Sequence, residues 1–138
     1  RNTSSMITSK GVSLKGGRTI YRGLVWVGKG SEEAKSAVRC DSLMVDEKST
    51  SVTYPYEFVY EDNASVVHEA TAGRIGKQQL FYLQSRGLKE EQAQSLIVSG
   101  YLADFAKDIP PDFAVELYRL IELELRREAQ GGIRKVSL

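Results

Sequence analysis

The sequence predicts a protein of β plus α class, in which a strand-rich half precedes a small helical half. Up to about residue 72, β-branched and aromatic residues are dense and runs of helix formers are scarce. After that point the apolar residues recur with a helical period. The strand candidates follow one another without intervening helices, so we expect an all-β first half. We therefore divide the chain into a β core (residues 1–72), a helical domain (73–130) and a flexible tail (131–138).

Four strands are predicted in the β core, at Arg18–Val27, Ala37–Val45, Ser51–Tyr60 and Ser65–Ala70. The run Leu24-Val25-Trp26-Val27 is apolar at every position, which indicates burial on both sides of the sheet. Pro55 interrupts the third strand and has no N–H for a ladder, which favours an edge or a bend there. No internal repeat is clean enough to establish a solenoid from the pattern alone.

The helical domain is predicted to contain helices at Ile75–Arg86, Lys89–Ser99 and Tyr101–Lys107, and a longer one from Pro111. Gly87 and Gly100 follow the first two, as residues that tolerate the left-handed C-terminal conformation. Pro111 suits a first helical turn.

The longest helix carries one apolar stripe, formed by Ala114, Leu117, Tyr118, Ile121 and Leu125. Glu122 and Arg126 are spaced for an i,i+4 ion pair on its polar face. Gly131 and Gly132 are expected to end it.

Composition excludes several classes of function. The 19 basic and 18 acidic residues nearly cancel, so the chain lacks the excess of positive charge that is typical of nucleic-acid-binding proteins. No apolar run approaches the roughly 18 residues of a membrane span. The first residues lack an initiator Met and a signal peptide, so the chain is expected to come from the middle of a polypeptide. The single cysteine excludes an internal disulfide and agrees with a reducing, cytoplasmic location.

The sequence nearly matches two catalytic motifs, and both matches are rejected. The segment from Gly23 to Gly30 nearly fits a phosphate-binding loop, but Gly30 stands where a hydroxyl must reach magnesium, and bulky apolar residues fill the span. His68-Glu69 opens like a zinc-protease signature, but the chain has no second histidine.

One cysteine, one histidine and one adjacent carboxylate remain as candidate ligands: Cys40, His68 and Glu69. Thiolate, imidazole and carboxylate can all bind iron, and a thiolate can carry sulfur as a persulfide. In an extended segment His68 and Glu69 point to opposite faces, so only one of them shares a face with Cys40. The residues alone favour a structural interpretation, because a lone cysteine on an apolar strand is usually a small buried hydrophobe.

Several segments in order resemble SufB, the scaffold subunit of the Suf iron–sulfur assembly system. They are Asn2-Thr3-Ser4-Ser5, Gly17-Arg18 with Tyr21-Arg22-Gly23, Ala34-Lys35-Ser36 with Cys40-Asp41, Asp46-Glu47-Lys48-Ser49, Thr53-Tyr54-Pro55-Tyr56, His68-Glu69-Ala70-Thr71, Ile75-Gly76 with Gln79-Leu80-Phe81-Tyr82, Ser85-Arg86-Gly87, and Ala114-Val115-Glu116-Leu117. The resemblance runs from residue 2 to about 126. The Thr53–Tyr56 segment and Glu69 directly after the histidine resemble SufB more than its paralogue SufD; an undivided SufB/SufD ancestor is the alternative.

This resemblance implies that residues 1–72 are the last rungs of a right-handed parallel β-helix, followed by the C-terminal helical domain. It implies a scaffold without enzymatic turnover, on which Cys40, Glu69 and His68 hold a transient iron–sulfur cluster or its sulfur near a contact with SufD. The earlier rungs, which carry the sulfur-accepting residues, are expected to be missing.

The resemblance further implies that the helical domain docks the SufC-type ABC ATPase, around Phe81, Tyr82, Leu83, Phe105 and Phe113. A flavin belongs, if anywhere, to the intact complex, and no cofactor is expected tightly bound here. The alternative function is a SufD-like interaction module that only docks and regulates the ATPase. The cut edge of the β-helix is also expected to cause self-association.

Overall fold

The computed structural model describes residues 1–129, with side chains up to residue 127. The chain divides into two compact units, Arg1–Arg74 and Ile75–Leu138. We call them the β unit and the helical unit.

The β unit consists of five ten-residue strands in two parallel sheets. They are β1 (Ser4–Ser13), β2 (Arg18–Val27), β3 (Lys35–Met44), β4 (Thr50–Val59) and β5 (Ser65–Arg74). One sheet has the order β1-β3-β5 and the other pairs β2 with β4. Successive strands therefore alternate between the two sheets, and each pairs with the strand two places along. Ser5 lies opposite Ser36, 31 residues later, and Asp41 lies opposite Thr71, 30 residues later.

Strict alternation of side chains decides which residues of each strand are covered. In β3, Ser36, Val38 and Cys40 are buried on one face, whereas Lys35 and Arg39 on the other face are exposed. The hydroxyl of Ser5 donates to that of Ser36 at 2.9 Å, which gives the buried Ser36 hydroxyl a partner on the neighbouring strand.

Three of the predicted strands agree with the structure to within a few residues. The fourth is longer, because β5 continues to Arg74, past the change of character at residue 72. The placement of Pro55 at an edge is confirmed, since in residues 1–129 β4 pairs only with β2. The strand β1 was missed, because its polar sequence has no alternation of apolar residues. It is a strand because it pairs with β3 along its whole length.

The prediction that β2 is buried on both sides is wrong. Leu24 and Trp26 are 64% and 70% exposed, whereas Val27 is buried. A sheet in this unit has one covered face, so consecutive apolar residues must alternate between cover and solvent.

A carboxylate organises the turn before β4. Asp46 accepts backbone N–H bonds from Lys48 at 2.9 Å and Ser49 at 3.0 Å, and a hydroxyl bond from Ser49 at 2.7 Å. It also accepts from the N–H of Gly16, whose φ of 75° is in the left-handed region that glycine tolerates. These bonds join the β1–β2 turn to the β3–β4 turn.

The helical unit contains three helices, α1 (Lys77–Ser85), α2 (Glu90–Lys107) and α3 (Pro111–Ala129). Gly87 has φ 93°, which confirms it as the left-handed residue after α1. The two helices predicted on either side of Gly100 are one, and the prediction of an end there is wrong. A glycine inside a helix costs only about 1 kcal/mol relative to alanine. Burial of Ala93, Val98 and Ala106 along α2 opposes that cost.

The stripe predicted on α3 is confirmed: its five residues are all buried or half-buried, and Leu125 is the most covered at 9% exposed. The predicted ion pair is present, with Arg126 donating to Glu122 at 2.5 Å. The predicted end at Gly131 and Gly132 and the tail (131–138) lie outside the described residues. Within the part that the structure describes, no helix is long and apolar enough to cross a membrane.

Candidate functional site

Cys40 lies near the middle of β3, on the covered face of the three-stranded sheet. It is 3% exposed and forms no disulfide. The same face carries Val38 and Ser36, two and four residues earlier. The thiol is therefore inside the β unit.

His68 is brought to Cys40 by strand register. Val38 lies opposite His68 and Cys40 opposite Ala70, so the imidazole is diagonal to the thiol on the same face. The Sγ of Cys40 is 3.4 Å from Nε2 of His68. Residues 28 apart in sequence are thus in direct contact.

Glu69 is not part of this contact. It lies opposite Arg39 on the other face of the sheet and is exposed. As alternation requires, only one member of the His68-Glu69 pair faces Cys40. Among the three predicted site residues, the structure brings two together and separates the third.

The second sheet contributes two polar groups that sequence reasoning missed, Tyr21 from β2 and Glu57 from β4. The rings of Tyr21 and His68 are in edge-to-face geometry with centroids 6.2 Å apart. The Oε1 of Glu57 is 3.9 Å from Nδ1 of His68. The sequence did contain one indication of Glu57, because side chains alternate along the predicted strand and the odd-numbered residues share one face. The even-numbered residues Tyr54, Tyr56 and Phe58 are aromatic, so their face was the natural choice for the covered one, but they are exposed.

Gly23 makes the position of Tyr21 possible. A Cβ at residue 23 would lie 2.7 Å from Cε1 of Tyr21 and would also clash with its hydroxyl. The tyrosine ring therefore occupies the space that a side chain at Gly23 would fill.

The electrostatics of the site favour a protonated thiol. Burial raises the pKa of Cys40; a hydrogen bond with Tyr21 lowers it, and the charge of Asp41 raises it further. Burial likewise raises the pKa of Tyr21, as do the charge and hydrogen bond of Cys40. A cationic ion at the thiol would supply the compensation that a thiolate needs here.

The spacing of Cys40 and His68 fits two ligands of one metal ion as well as a direct hydrogen bond. Two ligands of a tetrahedral ion, with a metal–sulfur distance of about 2.3 Å and a metal–nitrogen distance of about 2.0 Å, lie roughly 3.5 Å apart. The observed 3.4 Å fits this and also fits a thiol–imidazole hydrogen bond. In residues 1–129 no three His, Cys, Asp or Glu side chains converge as a metal cage. At this point the described residues offer two potential ligand atoms, Sγ and Nε2, in direct contact.

Comparison with known proteins identifies the family. The model of the protein family described as "SUF system FeS cluster assembly, SufBD core domain" matches residues 1–101. The chain belongs to the SufBD family. The resemblance seen in the sequence is thereby confirmed.

Curated relatives in the SufBD family cover most of this chain. An iron–sulfur cluster assembly SufBD family protein of Mycobacterium tuberculosis (strain ATCC 25618 / H37Rv) is 51% identical over 124 residues, which are 90% of this chain and 15% of that protein. The iron–sulfur cluster assembly protein SufB of Bacillus subtilis (strain 168) is 48% identical over 124 residues, 90% of this chain and 27% of that protein. A SufBD family protein of Staphylococcus haemolyticus (strain JCSC1435) matches to the same extent. The chain thus spans about a quarter or less of the length of these relatives.

The residues predicted to dock an ATPase lie on the helical unit, and most are exposed. Phe81, Phe113 and Tyr82 are 72%, 68% and 56% exposed, and Phe105 is 46% exposed. Leu83 is half-buried. Arg86 lies over the ring of Tyr82, 5.2 Å from its centroid.

Proposed function

We propose that this chain is the C-terminal part of a SufB-type scaffold, and that Cys40 and His68 receive a nascent iron–sulfur cluster or its sulfur. The observation that carries the proposal is the 3.4 Å contact between Sγ and Nε2 inside the β unit. The cluster is cargo. Two protein ligands hold it loosely, which suits a scaffold that must release what it assembles. The role is binding without enzymatic turnover, in the cytoplasm.

We further propose that the two sheets are the last rungs of a right-handed parallel β-helix. Support comes from the alternation of strands between sheets and from the near-constant spacing of paired residues, 31 and then 30. In such a structure Cys40 and His68 occupy neighbouring rungs of one wall.

The role of Glu69 is proposed to be external. Its side chain is on the outer face, opposite Arg39, so it can approach a cluster only where a partner such as SufD covers this face. This separates Glu69 from the inner pair.

Anaerobic reconstitution of the full-length protein with iron and sulfide tests these roles. We expect Cys40→Ala to abolish stable cluster and His68→Ala to reduce its yield. Glu69→Ala should reduce transfer only when SufD is present. Glu32→Ala, which removes an exposed carboxylate from a turn of the same unit, is the matched control. Unchanged yield and transfer in Cys40→Ala would disprove the scaffold role of the inner pair.

A second proposed role is docking of a SufC-type ATPase by the helical unit, which on its own would be the SufD-like function. The exposed aromatic residues Phe81 and Phe113 favour it. Phe81→Glu and Phe113→Glu should weaken co-purification with the ATPase, whereas Val115→Glu, equally exposed at 69%, is the control. Retention of the ATPase by both phenylalanine variants would remove this assignment.

Self-association is also proposed, through unpaired strand edges. Within residues 1–129, β1 and β5 each have one neighbour in their sheet, as do β2 and β4. Light scattering of the 138-residue chain should show a dimer or larger assembly, and a monomer across micromolar concentrations would contradict this.

A further inference from the structure

We propose that Glu57 is a positioning residue for His68, which directs Nε2 of the imidazole at Cys40 by accepting a hydrogen bond from Nδ1–H. The inference rests on the proposed function for its purpose, but its geometry stands independently. Glu57 lies next to no predicted site residue in the sequence. Tertiary structure alone brings it to the histidine.

The two ring nitrogens of His68 face different groups. Nε2 faces the thiol of Cys40 at 3.4 Å, and Nδ1 faces Oε1 of Glu57 at 3.9 Å. The carboxylate is thus on the side of the ring away from the sulfur. The 3.9 Å separation is longer than a hydrogen bond and must shorten to become one, as happens at many sites when the ligand binds.

A neutral imidazole has one N–H donor and one nitrogen with a free lone pair. A carboxylate cannot donate, so the contact with Nδ1 is favourable only when that nitrogen carries the proton. Nε2 is then left with its lone pair toward Cys40. Histidines that bind metals commonly donate their second nitrogen to a carboxylate in this way, which sets both the tautomer and the ring orientation.

The imidazole is covered, whereas the carboxylate is only partly covered. The side chain of His68 is 11% exposed and that of Glu57 is 34% exposed. Both line one small cavity of the β unit with Tyr21, Val25 and Val38. Because the imidazole is largely removed from water, its Nδ1–H needs an acceptor within the protein, and the Glu57 carboxylate at 3.9 Å is the group that faces it.

Glu69 cannot take this role, although it is adjacent in sequence. Its position opposite Arg39 puts it on the far face of β5. Only a residue from the facing sheet can reach Nδ1, and Glu57 on β4 does so.

The test uses the metal-free 138-residue chain, in which His68 is the only histidine. Its imidazole nitrogen signals are therefore assigned without further labelling. Long-range proton–nitrogen NMR, recorded where the ring is neutral, distinguishes the two tautomers. We expect the Nδ1–H form to be the major one, in contrast to free histidine, which favours Nε2–H in water.

Variants at residue 57 sharpen the test. Glu57→Leu removes every acceptor and should make Nδ1–H the minor form. Glu57→Gln keeps a carbonyl acceptor and should retain part of the preference, and Glu32→Leu should leave it unchanged. A major Nε2–H form in the unaltered chain would overturn the proposal even if a variant failed to fold. An unchanged ratio in folded Glu57→Leu would also overturn it.

The readout separates this proposal from the proposed function. The tautomer is measured without iron, so positioning by Glu57 can hold even if Cys40→Ala leaves cluster yield unchanged. Conversely, suppose that the unaltered chain has mainly the Nε2–H tautomer, as free histidine does, and that Cys40→Ala loses the cluster. The positioning role of Glu57 would then be rejected, and the scaffold role of Cys40 would stand. If both hold, Glu57→Leu should weaken Co²⁺ binding by the full-length protein about 10-fold to 100-fold.

Discussion

The β unit and the helical unit differ in what they bury, because among the described residues the buried polar side chains all belong to the β unit. In the helical unit the covered residues are apolar, as Ala93 and Val98 show at 0% and 2% exposed. In the β unit the covered faces carry Cys40 and His68, while Trp26 and Leu24 face outward. The helical unit therefore has an apolar core. The β unit, by contrast, also buries a thiol and most of an imidazole.

The largest effect should come from a charge in the helical core. Val98→Asp puts an unpaired carboxylate at a 2% exposed position and should destabilise the helical unit by about 3 kcal/mol or more. Val115→Asp, at a 69% exposed position, should change stability by less than about 0.5 kcal/mol. Urea unfolding followed by circular dichroism measures both. Equal losses would show that the two positions do not differ in burial.

A smaller effect is expected on the outer face of the β unit, where Thr71 donates to Asp41 at 2.5 Å. This bond lowers the pKa of Asp41 against the effect of burial, which raises it; hydrogen bonding and charge from Arg39 lower it further. Thr71→Val should cost about 1 kcal/mol at neutral pH, since Thr71 is an exposed residue and its hydrogen bond to Asp41 is only partly buried.

The sign of the pH dependence follows from the depressed pKa of Asp41. Its stabilisation is present above the ordinary carboxyl range and is lost as pH falls through the lower folded-state pKa. The difference between Thr71→Val and the unaltered chain should therefore shrink in acid. A difference that is constant from neutral pH down to strong acid would show that the ionised carboxylate is not what Thr71 stabilises.

A third prediction concerns reactivity of the buried thiol, which the helical unit has no equivalent of in its described residues. Tyr21→Phe removes a hydrogen bond that lowers the pKa of Cys40, so that pKa should rise. Alkylation of this single cysteine at neutral pH should become roughly threefold to tenfold slower.

Gly23→Ala should reproduce part of this change, because its new methyl group displaces the ring of Tyr21. Gly73→Ala is the control, since a Cβ there meets nothing within 4 Å. Faster alkylation in Tyr21→Phe with an unchanged fold would contradict the prediction. It would mean that the Tyr21 hydroxyl limits access to the sulfur more than it lowers the pKa of Cys40.

The smallest effect belongs to the surface of α3. Glu122→Gln breaks the pair with Arg126 and should cost about 0.3 to 0.5 kcal/mol in low salt, and less in high salt. The thermal midpoint at two salt concentrations measures this. A loss comparable to that of Val98→Asp would show that the pair is not the solvent-screened contact seen here.

The sequence by itself determined the class, the division into a β half followed by a helical half, and the family. Local signals were sufficient for α3, where Pro111 starts the helix and the apolar stripe repeats every three or four residues. They were sufficient for β2, whose bounds Arg18–Val27 agree with the structure. They also reduced the candidate ligands to Cys40, His68 and Glu69, and alternation required that only one of the last two face Cys40.

Tertiary structure decided the rest, because the remaining questions depended on register between distant strands. The segment β1 is a strand because it pairs with β3. Trp26 faces outward because the other face of β2 is the covered one. The same register chose His68 over Glu69 as the neighbour of Cys40 and brought Glu57 to its other nitrogen. A one-residue shift reverses the face of every side chain in a strand, and no local pattern in these polar segments specifies that shift.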